Sequence, residues 1–376
     1  MLETDFLIVG AGVAGASIAY RLAPFARVTI IDMEEQAGYH TTGRSAAFFA
    51  ETYGGPLVQP ITSASKAFFQ NPPLGFADVP LMSALGAIHV FYEAQRTEAQ
   101  EYFEELVQAL PNVRMMSANE VIAQLPYLNS HGLGGGILDP DCSSLDVAAL
   151  HQGFLRSAKK DGATLLTSTD FVSASFENGL WHVETSQGKI VAHTLVNTAG
   201  AWADEVAIRA GVAPLSLEPL RRTVVTIGNP KGVAFDKNSP IFMRVGEEYY
   251  FKPEGDGYLL TPGDEVLMPA CDVQPEHEDV ALAVYQFEKT TNAQVERVDA
   301  KWAGLRTFAL DRGPVIGFAP GVERFFWSVG QGGFGIQTAP AWSELAAALL
   351  LGKDVPQSLI EEGIEAEAYT PARFLV

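Results

Sequence analysis

Gly10, Gly12 and Gly15 form a GxGxxG run between an apolar stretch, residues 6–9, and a helix-forming stretch, residues 14–23. Each glycine there has its own physical reason. The first permits a tight turn, the second lets the backbone approach a pyrophosphate, and the third lets helix and strand pack closely. Amides at the helix start then meet the phosphate charge. The pattern alone occurs in many turns, so its context carries the meaning. The next apolar run, residues 28–31, ends in Asp32, at roughly the distance where an acid accepts hydrogen bonds from a ribose. An ordinary βα turn with a solvated aspartate is the competing reading. The order of the pieces favours a bound dinucleotide.

Two further stretches bear on which dinucleotide. Residues 38–47, GYHTTGRSAA, are small, polar and flexible, and suit a second, longer segment of a cofactor. Residues 330–338, GQGGFGIQT, lead into a helix containing Pro340 and Trp342. A glycine turn feeding a helix start supplies amides and a positive dipole end, which would stabilise the negative charge of a reduced flavin. Either run alone reads as a plain turn. Together, at opposite ends of the chain, they favour a cofactor that reaches across the domain. The seven histidines show no metal-ligand spacing, so no metal is expected. Cys142 and Cys271 lie far apart without a CxxC neighbour and read as ordinary thiols.

Positioning these residues takes a strand, a tight turn, a helix closed by Pro24, and a second strand. This is a βαβ opening whose strands lie parallel in a covered sheet. The middle of the chain has another character. Residues 87–93, 222–227, 249–252 and 258–261 are short strand candidates between Gly and Pro turns. Pro275 opens a helix in which Val280, Val284 and Phe287 share one face. Residues 325–329 return to a strand, followed by the glycine turn and an Ala-rich helix to about Leu351. The expected fold class is therefore α/β. A discontinuous doubly wound, nucleotide-binding domain is expected from residues 1–55, 140–217 and 305–376, and an α+β domain from 56–139 and 218–304.

Composition narrows the function. The 376 residues are comfortable for two domains, and 47% are hydrophobic. A formal net charge of -20 repels phosphate backbones and anionic membranes, which argues against a nucleic-acid partner. No apolar run reaches the roughly 18 residues of a spanning helix. The strand pattern starts almost at once, without a basic n-region, so a cytoplasmic enzyme is the expectation.

GYHTTGRSAA at 38–47, FFQNPPLGF at 68–76, LHQGFLR at 150–156, LVNTAGAW at 195–202, KWAGLR at 301–306 and GQGGFGIQT at 330–338 together give a resemblance over nearly the whole chain. The chain resembles the FAD-dependent D-amino-acid oxidase and glycine oxidase superfamily, and within it the bacterial D-arginine dehydrogenases. The resemblance implies a Rossmann-like FAD-binding domain plus a substrate domain with a mixed sheet. It also implies that Ala14, Asp32, Met33, Thr41, Thr42, Gly43, Arg44, Ser45, Ala46, Ala47, Val172 (by its backbone), Gly200, Gln331, Gly332, Gly335, Ile336, Gln337 and Thr338 contact FAD. His40 falls inside the loop motif and reads as a loop-orienting residue, with catalysis the competing reading.

Carried over in the same way, Arg222 and Arg306 form a carboxylate clamp, because the planar guanidinium matches a carboxylate bidentately. Tyr53 and Tyr250 line the site; a one-residue insertion upstream makes Tyr249 the competitor of Tyr250. The Gly333 carbonyl takes a hydrogen bond from the substrate amine. Three departures stand out. Ala87 replaces a glutamate that holds a guanidinium, and Phe48 and Ala50 replace a histidine and a threonine. The pocket should then be apolar, poor for arginine and lysine, and better for leucine, phenylalanine, methionine or proline.

The implied reaction transfers a hydride from Cα to flavin N5, and the imino acid hydrolyses to an oxo acid and ammonia. No general base is needed if the amine binds neutral. Partners are the amino acid and an electron acceptor, whether oxygen, a quinone or another carrier. Two other readings stay open: a sarcosine-type N-alkyl amino acid oxidase, and a flavin-bearing subunit of an electron-transfer complex. A tRNA modifier conflicts with the charge, and a nicotinamide dehydrogenase would be colourless.

Overall fold

The computed structural model describes residues 2–246 and 249–374. Eight strands among these residues build one sheet. Its main path runs Phe171–Glu177, Leu180–Thr185, Gly188–Asn197, Leu2–Val9, Val28–Ile31, Thr164–Leu166. Phe325–Val329 lies parallel to Gly188–Asn197 and pairs with Val315–Phe318. The central strands are parallel to one another and covered on both faces. That explains why residues 28–31 read as an unbroken apolar run: all four are buried. One face packs Ile8 and Ile30 against helices Val13–Leu22, Val147–Lys160 and Gly335–Leu350. The other packs Leu7, Val9 and Trp327 against the short helix Ala203–Arg209.

Nine strands among the described residues form a second sheet. Its path runs Val266–Leu267, Glu218–Ile227, Gly257–Thr261, Tyr250–Glu254, Ile241–Arg244, Ala87–Tyr92, Leu133–Asp139, Arg114–Ser117. Val298–Phe308 pairs along Glu218–Ile227. The sheet is mixed, because Ile241–Arg244 runs parallel to Ala87–Tyr92 while its other pairings are antiparallel. One face packs Ile88, Val225 and Phe251 onto Phe287 of helix His277–Thr290, the helix expected after Pro275. The opposite face points back toward the first sheet and carries the residues that matter below.

Two expected boundaries differ. Helix Gln59–Gln70 lies within the range expected for the second domain, but Ile61 and Phe69 bury in the first core beside helix Gly335–Leu350. Strand Val298–Phe308 stays in the second sheet beyond residue 304, because its pairing continues to Glu218↔Phe308. Among the described residues no helix is long and apolar enough to cross a membrane, and no group of three or more His, Cys, Asp or Glu side chains could hold a metal ion.

Candidate active site

The glycine turn is shaped by near-contacts that exclude side chains. Gly10 has φ +104°, and a Cβ there would sit 2.7 Å from the Thr198 carbonyl oxygen. A Cβ on Gly15 would sit 1.9 Å from the Gly10 oxygen. Helix and strand thus close on each other as the motif requires. Asp32, at the end of the next strand, accepts from the Ala11 amide at 2.6 Å and the Glu34 amide at 2.9 Å. Burial raises its carboxyl pKa, and these amides oppose the rise. The Val13 amide donates to Thr42 Oγ1 at 3.0 Å, which ties loop 38–47 to the helix start. His151 supports the turn from below by donating from Nε2 to the Ala11 oxygen at 2.8 Å.

A continuous cleft starts at Gly10, Gly12 and Ala14 and passes Asp32 and Met33. It follows Thr41, Thr42, Arg44, Ser45 and Ala46, and reaches Gly200, Gln331, Gly332, Gly333, Gly335 and Ile336. A tight turn with no room for a side chain at Gly10 or Gly15, a fixed carboxylate and a helix start along one cleft fit an extended dinucleotide such as FAD. The other expected contacts lie outside the lining. Gly15, Gly43 and Ala47 sit behind it. Val172 carries an exposed side chain, and Asp170 and Phe171 line the cleft instead. Gln337 and Thr338 point inward: Gln337 bonds Ala50, Tyr53 and Thr62, and Thr338 donates to the Phe334 oxygen. Their side chains are supports rather than lining. His40 Nε2 donates to Glu34 Oε1 at 2.9 Å, which ties the loop to the residues after Asp32.

The far end of the cleft meets Arg222, Val224, Gly304 and Arg306. Strand pairing puts Leu220 opposite Arg306 and Arg222 opposite Gly304. Both arginines therefore stand on one face as diagonal neighbours. Arg221, one residue before Arg222, faces the other way and bonds Asp279 at 2.8 Å and Glu276 at 3.2 Å. Arg306 donates from Nη1 to Tyr53 OH at 2.9 Å. Its guanidinium lies against Gly333, where a Cβ would approach Nη1 to 2.8 Å. Arg222, expected in the carboxylate clamp, already has partners in the chain: it donates from Nε to the main-chain oxygen of Asp264 at 2.8 Å and from Nη2 to Glu265 at 3.1 Å. Glu265, which no sequence signal marked, also binds Arg312 at 2.8 Å.

Side-chain alternation decides between the two tyrosines. Tyr250 packs with Phe48, Ala50, Ala87, Val224 and Met243 on the arginine face, whereas Tyr249 joins Ile88 and Phe251 on the other. The Phe48 ring centre lies 5.3 Å from that of Tyr250 and 5.4 Å from that of Tyr53. Phe48, Ala50, Ala87 and Tyr250 are all buried in this apolar cluster and, like Tyr53, lie outside the lining of the cleft, to which Val224 and Ala46 join them. The cofactor loop grips the arginine strand directly. Thr41 Oγ1 donates to the Leu305 oxygen at 2.8 Å, Arg44 to the Ala303 oxygen at 3.1 Å, and Trp302 Nε1 to the Arg44 oxygen at 2.9 Å.

Residues 5–349 match the model of a family described as FAD dependent oxidoreductase. Glycine oxidase of Bacillus licheniformis is 24% identical over 373 residues, which cover 95% of this chain and 95% of that protein. Mitochondrial dimethylglycine dehydrogenase of Rattus norvegicus is 24% identical over 96% of this chain, which spans only 44% of that relative's length. Among solved structures, L-proline dehydrogenase from P. horikoshii shares the fold with a TM-score of 0.84 at 21% identity, covering 100% of this chain and 98% of that one.

Proposed function

Because the chain belongs to the FAD dependent oxidoreductase family, we propose that it oxidises the Cα–N bond of an amino acid with an uncharged side chain, D-configured in keeping with the sequence resemblance. One observation carries the reading: Arg306, which lines the cofactor cleft, is hydrogen-bonded to Tyr53, whose ring packs on Phe48 of the apolar cluster that also holds Ala50, Ala87 and Tyr250. Bound FAD supplies the acceptor for the hydride.

The chain's own residues supply orientation. Arg306 offers a planar set of donors to a substrate carboxylate, with Tyr53 holding the guanidinium in place. Arg222 completes the grip by sharing donors now given to Glu265. The Gly333 carbonyl, beside Arg306, receives the substrate amine. The apolar wall excludes a charged side chain, since an uncompensated buried guanidinium costs several kcal/mol. Fixing both polar ends of the reactant leaves its α-hydrogen one orientation, which is a large part of the rate.

A second reading rests on the Phe48 ring, which packs against both tyrosines and shortens the space for a side chain. It gives glycine or an N-methyl amino acid as substrate, in line with the names of the two relatives. Anaerobic stopped-flow bleaching of the flavin separates the readings. D-leucine and D-methionine should bleach it rapidly and D-arginine slowly. Fast reduction by sarcosine alone moves the assignment to secondary amines. Bound FAD that no amine reduces makes the chain an electron-transfer subunit.

A further inference from the structure

We infer that Thr52 is a positioning residue of the substrate end, its hydroxyl fixing Tyr53 and, through Tyr53, the Arg306 guanidinium. The inference rests on the proposed carboxylate-binding role of Arg306. Thr52 Oγ1 donates to Asp139 Oδ2 at 2.8 Å. Asp139 Oδ1 accepts from the amides of Asp141 and Cys142 at 3.0 and 3.1 Å, so its own loop holds the carboxylate still. The single hydroxyl proton goes to Asp139, so His89 Nε2, 3.2 Å away, is the donor toward Thr52. Both partners rise from the sheet face that also bears Tyr250: Asp139 pairs with Ala87, and His89 lies two residues further along the same strand. The Thr52 carbonyl accepts from Tyr102 OH at 2.8 Å.

The residues on either side are tied as firmly. The Ala50 amide donates to Gln337 Oε1 at 3.1 Å, and Gln337 Nε2 donates to the Tyr53 oxygen at 3.2 Å. Gln337 belongs to helix Gly335–Leu350, whose start lines the cleft. Two neighbours of Thr52 are thus moored to the cofactor side, and Thr52 itself to the substrate sheet. The Tyr53 ring then leans on Phe334, 5.0 Å between centres, with its hydroxyl against Arg306.

If Thr52 merely filled space, valine, which has nearly the same shape, would replace it without consequence. A positioning role predicts otherwise, because valine leaves the buried Asp139 carboxylate and His89 without their shared partner.

The test uses the FAD-loaded full chain and benzoate, a carboxylate with no oxidisable α-hydrogen, read by perturbation of the flavin's visible spectrum. Glycine, sarcosine and D-leucine kinetics run beside it. Thr52→Val should raise the benzoate Kd and the KM of whichever amine turns over by roughly tenfold, with kcat within about twofold and FAD content unchanged. Thr52→Ser should stay within about twofold of wild type. Should Thr52→Val fail to accumulate, Asp139→Asn is expected to move the same two constants in the same direction. Unchanged Kd and KM in Thr52→Val, or equal damage in Thr52→Ser, overturns the inference. Arg306→Ala is the control: a benzoate Kd raised by about 100-fold supports the clamp. An unchanged Kd there, or no wild-type response to benzoate, overturns the clamp and this inference with it.

Discussion

At the Gly10–Gly15 turn the cleft is walled by bare backbone, whereas at Arg222 and Arg306 it is walled by long side chains standing on a sheet. The first wall works by leaving atoms out: its neighbours are carbonyl oxygens that cannot retreat without unpicking the parallel sheet. The second works by what is put in, and alternate positions on a strand change independently. On the proposed function, cofactor binding and substrate choice should therefore respond differently to mutation, the one abruptly and the other by degrees.

The sharpest way to break this contrast is Gly15→Ala. Its methyl group would lie 1.9 Å from the Gly10 oxygen, so FAD retention should fall by at least about 100-fold and the purified protein should be colourless. A yellow Gly15→Ala protein would mean that the turn yields more than its contacts allow. Ala87→Glu probes the other wall and should act by degrees. Ala87 is fully buried beside Ile241 and Asp139. A carboxylate there should raise activity on D-arginine relative to D-leucine by roughly tenfold while leaving FAD content intact. If the ratio stays fixed, the substrate side chain does not run past Ala87.

The smallest effect compares a buried histidine from each end. Burial lowers the His89 pKa to about 4 from its ordinary 6.5, and lowers that of His151, which also bonds the Ala11 oxygen. The unfolded chain then binds more protons than the folded one below about pH 6.5. Stability should fall as the pH drops from there toward 4, by at most about 1.4 kcal/mol per pH unit for His89. Melting temperatures of wild type and His89→Gln should converge as the pH falls through that window, and His151→Gln should repeat the pattern at the cofactor end. Parallel curves would mean that these imidazoles bind protons equally in the folded and unfolded states.

Legibility in the sequence followed the same division. The turn and Asp32 were readable because their constraints are local, set by the spacing of glycines along one strand, turn and helix. The parallel strands announced themselves as unbroken apolar runs. Arg222 and Arg306 needed the family resemblance, since only pairing between strands 84 residues apart makes them neighbours. Tyr249 and Tyr250 could not be told apart until the sheet assigned each a face. Thr52, His89, Asp139 and Glu265 carried no local signal at all. Each is a single polar residue whose partner lies on another strand or loop, and Glu265 pairs with an arginine that its position does not predict. The domain limits near residues 56 and 304 erred for a related reason: a helix and a strand crossed them to reach partners distant in sequence.

The three hydrogen bonds between loop 41–44 and strand Val298–Phe308 make one beam of what look like two separate fittings. A load at either end is felt at the other. Substitutions at Thr41 or Arg44 should therefore be felt at Arg306, whereas Phe48 and Ala87 belong to a cluster that the beam does not carry.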